Sequence, residues 1–99
     1  MQVHLHVTEP LDRERVKQRL AFHLNDLEAH IERLEVDVDR LVGPGGRRLH
    51  TCRVTGHANG AVLFDLRERQ PQLDTAVSRA LGRGARLCQR RQLRFRNPN

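Results

Sequence analysis

With 99 residues, 37% of them hydrophobic and 3% aromatic, the chain has room for one domain, residues 1–99, with a core of Leu and Val, and no room for a second. A formal charge of +6 and a pI near 11.1 suit a polyanionic partner, and no apolar run approaches the roughly 18 residues of a membrane helix. Two cysteines, Cys52 and Cys88, and no signal-peptide stretch argue against a disulfide between them and point to the cytoplasm.

From Met1 to Val7 the apolar residues Val3, Leu5 and Val7 alternate with Gln2, His4 and His6, which predicts a half-buried strand. Thr8 is placed to cap a helix and Pro10 suits a first turn. Val16, Leu20, Leu24, Leu27 and Ile31 then recur at helical spacing, so a helix is expected over about 9–31. Alternation returns with Leu34, Val36 and Val38 against Glu35, Asp37 and Asp39, and stops at the loop Gly43-Pro44-Gly45-Gly46.

The next strand places His50, Cys52 and Val54 on one face and Thr51, Arg53 and Thr55 on the other. Asn59-Gly60 supplies the positive φ angles of a tight hairpin, after which Val62, Phe64 and Leu66 are read as one apolar face. From Pro71 onward Leu73, Val77, Ala80 and Leu87 follow a helical stripe, interrupted by Gly82 and Gly84 at a combined cost of about 2 kcal/mol relative to alanine. Gly84 falls on the apolar side, where close approach to the first helix would explain it. Gly82 is read as a possible kink.

The predicted order is β-α-β-β-β-α, an α+β fold. A right-handed crossover makes the first two strands parallel, and the later ones are antiparallel. Burying both helical stripes calls for a two-layer sandwich, a four-stranded mixed sheet with both helices on one face. The opposite face is left with His4, His6, Glu35, Asp37, Asp39, Thr51, Arg53 and Asp65.

The charge is unevenly distributed. Residues 1–50 hold 8 Lys/Arg and 9 Asp/Glu, whereas residues 51–99 hold 10 and 3, with no acid after Asp74. At 100° per residue Arg79, Arg83, Arg86, Arg90 and Arg94 fall within an arc of about 80° beside the apolar stripe, with Arg91 close by. On the first helix Arg15, Arg19 and His23 are spaced i, i+4, i+8. A face that is merely solvated normally mixes signs, and this one does not, so polyanion binding is expected. Guanidinium forks match phosphate oxygens and their planes stack on unpaired bases.

Other chemistry finds little support. The histidine pairs, His4 with His6 and His50 with Cys52, fall short of a metal-ligand quartet, so no metal or other cofactor is expected. No nucleophile elbow, phosphate loop or dinucleotide fingerprint is present, Ser78 falls inside a helix, and the acylphosphatase-like order differs from this one, so no catalytic residue and no small-molecule substrate are expected.

The run Val16-x3-Leu20-x3-Leu24-x2-Leu27-x2-His30-Ile31-x-Arg33-Leu34-Glu35-Val36, then Arg48-x3-Cys52, Gly60 and Leu73-Asp74-x-Ala76-Val77, resembles the ribosome-associated inhibitor and hibernation-promoting factor family. The likeness spans nearly the whole chain and is closest to the family's short form. It implies the same β-α-β-β-β-α order and a place in the small-subunit channel between head and body, over the mRNA and tRNA sites, silencing idle ribosomes. It further implies that Arg15 and Arg19 of the first helix and Arg79, Arg83, Arg86 and Arg90 of the second contact 16S ribosomal RNA. Arg91 and Arg94, which continue the acid-free run of arginines, are expected to join these rRNA-binding residues on charge alone. The segment Val7-Thr8-Glu9-Pro10 is shorter than the family's, and arginines stand where its tail is rich in lysine. The expected partner is the small ribosomal subunit, with no membrane partner and a monomer off the ribosome. Two other classes compete: a general binder of double-stranded RNA, and an arginine-rich module for an acidic protein.

Overall fold

Two helical stripes and four alternating segments need a common dry layer, and the chain provides one. The computed structural model describes residues 1–96, with side chains described through residue 90. In chain order it contains β1 (Gln2–His6), α1 (Pro10–Glu28), β2 (Arg33–Val42), a short 3-10 turn (Pro44–Gly46), β3 (Arg48–Ala58), β4 (Ala61–Gln70) and α2 (Leu73–Arg96). The sheet order is β1-β2-β3-β4, with β1 parallel to β2 and the remaining pairs antiparallel. The parallel pair follows from α1, because a crossover helix returns the chain in its original direction.

Paired residues share a sheet face, so the ladder Val36–Val54–Leu66 and its neighbour Leu34–Gly56–Phe64 mark the inner side. Val16, Leu20 and Leu27 of α1 and Leu73, Val77, Leu81 and Cys88 of α2 join Leu34, Val36, Val38, Cys52, Val54 and Phe64 in one cluster. Both helices therefore lie on the same face of a four-stranded mixed sheet. On the other face His4, His6, Asp39 and Arg53 are exposed, and Arg53 grips Asp65 through two hydrogen bonds of 2.9 and 2.7 Å. Those bonds, together with the Arg53 and Arg67 charges, hold the Asp65 carboxyl below its usual range. On the inner side, burial pushes the Cys52 thiol up to about 12, which leaves it protonated and inert.

The β3–β4 turn has φ of 54° at Asn59 and 73° at Gly60, with Ala58 opposite Ala61, the two-residue turn that right-twisted strands favour. Four local expectations need correction. Pro10 occupies the first helical position of α1, so Glu9 rather than Thr8 is the N-cap, and no side chain bonds the free amides. The helix ends at Glu28, although Ile31 is still buried in the connection to β2.

The third correction is one of parity. Gly56 pairs with Phe64 and His57 with Val62, so Leu63 is an extra residue in β4. The bulge turns Val62 outward, 57% exposed, and lets Leu63 reach the core. The fourth concerns the helix glycines. α2 runs through Gly82 without a break, and Gly84 approaches Phe64 of β4 rather than α1. A Cβ on Gly84 would stand 2.9 Å from the Phe64 ring, and one on Gly56 would stand 2.5 Å from it. Phe64 thus fills a slot walled by two glycines, one from the sheet and one from the helix.

Candidate nucleic-acid interface

An exposed arginine needs a helix to hold it at a fixed spacing from the next, and α2 supplies that. Arg79, Arg86 and Arg90 are exposed along one line of the helix, at i, i+7 and i+11, with no acid bonded to any of them among the described residues. Arg83, which belongs to the same arc, is half-buried and turned toward β4. Its Nη1 donates to Glu68 Oε1 at 2.9 Å and to the Arg67 carbonyl at 3.3 Å. A hollow of about 280 Å³ between Arg83, Arg86, Leu87 and Arg90 roughens this line. Arg91 and Arg94 lie outside the residues whose side chains are described.

The structure brings α1 alongside α2, with Gly82 close to the His23 ring, and the two helices run in the same direction. It divides the expected α1 pair. Arg19 is bonded to Asp74 Oδ2 at 3.3 Å and stands 5.9 Å from the centroid of the Phe22 ring, whereas Arg15 is exposed and has no bonding partner among the described residues. Two of the expected RNA contacts, Arg19 and Arg83, are therefore already neutralised by acids distant in sequence. The acids that close around the other basic residues are also specific: Glu35 lies 3.5 Å from Arg33, and Asp12, not the adjacent Asp39, binds Arg40 at 2.8 Å.

Known families add nothing to this picture. No family model matches the chain, and no curated protein matches it.

Sequence reasoning passed over two residues of this surface. Phe22 is 76% exposed beside Arg19 and supplies an aromatic face at the edge of the basic region. Its signal was available, since position 22 falls off the Val16, Leu20, Leu24 and Leu27 stripe, and a bulky aromatic there has no core to enter. Arg48, at the start of β3 and without a bonding partner among the described residues, is the other. Among the described residues no group of three His, Cys, Asp or Glu side chains converges to hold a metal ion, and no helix is long and apolar enough to cross a membrane.

The Asp12–Arg40 pair fastens the first turn of α1 to β2 and makes an unequal prediction. The Asp12 side chain is 10% exposed and that of Arg40 58%, so a stranded guanidinium rehydrates while a stranded carboxylate does not. Arg40→Ala is expected to lower the urea midpoint more than Asp12→Ala, with the double variant close to Asp12→Ala alone. Equal losses in the two single variants would count against this account.

Proposed function

We propose that the chain is a ribosome-associated domain that binds 16S ribosomal RNA in the small subunit and silences translation while ribosomes are idle. The observation that carries the RNA-binding part is the line Arg79, Arg86 and Arg90, three exposed cations on one helix with no acid engaged among the described residues. Like charges held in register raise the local potential, and a phosphate backbone relieves it by releasing its own counterions. The β-α-β-β-β-α order, the same as the resemblance to hibernation-promoting factors implies, supports the ribosomal part. Phe22 beside Arg19 adds a face on which an unpaired base can stack, a feature more useful on ribosomal RNA than on a regular duplex.

Sedimentation through a density gradient tests the proposal. The chain is expected to travel with isolated small subunits, to be released as salt rises, and to leave a regular RNA duplex unbound. Equal binding to the duplex would replace the ribosomal reading with a general one. Association that survives ribonuclease treatment would point to an acidic protein instead.

A further inference from the structure

The β2–β3 ladder continues to Val42–Arg48, whereas β1 pairs with β2 only as far as Asp37 and β4 pairs with β3 only as far as His50. The projecting strand ends, with the N-terminal parts of α1 and α2, border a half-open cavity of about 630 Å³. That lies within the ~300–1,000 Å³ range of small-ligand sites.

Two chemistries meet in it. Val42, left 72% exposed, gives an aliphatic surface on the sheet face it shares with Arg40, Arg48 and His50, while Leu41 and Leu49, paired with each other, stand at the alternate positions of the two strands. Of the cations, Arg15 and Arg48 have no hydrogen-bonding or ionic partner among the described residues. Asp12 accepts from Arg40 at 2.8 and 3.2 Å, and Asp74 accepts from Arg19 at 3.3 Å through Oδ2, its buried Oδ1 having no hydrogen-bond partner among the described residues, so the lining cations Arg15, Arg40 and Arg48 outnumber the two acids. The net charge of the cavity is therefore positive. His50, also on the wall, has Nδ1 at 3.1 Å from the Pro71 carbonyl. A carbonyl only accepts, so Nδ1–H donates there and Nε2 is available to a ligand.

We infer that this cavity binds a phosphorylated nucleoside, its phosphate facing Arg15 and Arg48 and its base against the exposed Val42 side chain. Guanidinium groups suit phosphate oxygens, and the flat face of a base covers aliphatic carbon that water otherwise meets. The nucleotide is either a free one or an unpaired residue of a bound RNA. The choice of a nucleoside as carrier of the phosphate rests on the RNA-binding reading. Recognition of the phosphate rests on the two arginines alone.

The test is a titration of the 15N-labelled full chain followed at the amides of Leu41, Val42, Leu49 and Leu73. The additions are adenosine 5′-monophosphate, adenosine, inorganic phosphate and a short single-stranded oligoadenylate. Saturable shifts with the monophosphate, at least tenfold tighter than with adenosine or phosphate, identify a free-nucleotide site. Shifts with the oligoadenylate alone identify an RNA residue as the occupant. No shift with either, or phosphate binding as tightly as the nucleotide, overturns the inference. Arg15→Gln combined with Arg48→Gln should weaken binding more than tenfold with amide dispersion unchanged, and wild-type affinity in that variant would also overturn it. Sedimentation with small subunits reports on the RNA-binding proposal separately, so a nucleotide that binds a chain unable to sediment would leave this cavity standing without that proposal.

Discussion

Phe64→Ala is expected to cost about 3–5 kcal/mol and to reverse the sign of a second substitution, Gly84→Ala. The ring is 5% exposed and lies against Gly56 on one side and Gly84 on the other, so its removal leaves a cavity that two backbones hold open. In the wild-type chain, alanine at 84 would bring its Cβ to 2.9 Å from the ring. Overpacking of that kind costs about 1–3 kcal/mol, which outweighs the ~1 kcal/mol that alanine gains over glycine within a helix. With Phe64 gone the clash goes too, and only the helical gain remains.

Gly82 is the internal control. A Cβ there meets Arg86 and His23 at 3.6 and 3.7 Å, ordinary contact distances, so Gly82→Ala should stabilise by about 1 kcal/mol in either background. Urea unfolding of the single and double variants measures all of these, and Phe64→Leu serves as a milder background if Phe64→Ala leaves too little folded protein. Gly84→Ala stabilising the wild type as much as Gly82→Ala does would dismiss the slot.

The same residues show how far local pattern reaches. Period-two alternation is set by which side of a strand meets water, so the facing of β1, β2 and β3 was legible, although Val3 on the inward side of β1 is 37% exposed and Thr55 on the outward side of β3 is buried, and Asn59-Gly60 identified the hairpin through the φ angles it tolerates. The bulge was not. Nothing in Leu63 itself says that it is supernumerary, because a bulge is a property of the pairing between two strands. The ion pairs divide in the same way. Arg19–Asp74, Arg40–Asp12 and Arg83–Glu68 join residues 55, 28 and 15 positions apart, and only the assembled layers bring them together. One of them had left a trace: once Phe64 and Leu66 are read as inward, Glu68 continues the same face, and an acid there requires a cation from the helix above. The cavity lay beyond sequence reasoning because it depends on β2 and β3 outrunning their neighbours.

Replacing Arg79, Arg86 and Arg90 together by glutamine is expected to weaken association with small subunits on the order of a hundredfold while leaving the melting curve in place. A hydrogen bond to a charged group contributes about 1.5–3 kcal/mol, so losing even one or two of three phosphate contacts accounts for that factor. The dependence on salt is the sharper readout. Each arginine that neutralises a phosphate releases counterions, so the slope of log affinity against log salt should shrink by roughly 0.7 to 0.9 per engaged arginine. Stability should hold, because these guanidiniums have no acid partner to lose among the described residues and their mutual repulsion is relieved. Arg83→Gln separates the structural account from simple charge counting. It removes the same charge from the same arc, yet strands Glu68, whose side chain is 16% exposed, so its first effect should be on the melting curve and its effect on the salt slope small. As a further control, Arg33 and Arg53 on β2 and β3 are held by Glu35 and Asp65, and glutamine at both should leave the slope near its wild-type value. If the triple variant sedimented with wild-type affinity and slope, the arginines of α2 would be a solvated face, and RNA binding would lose the observation that carries it.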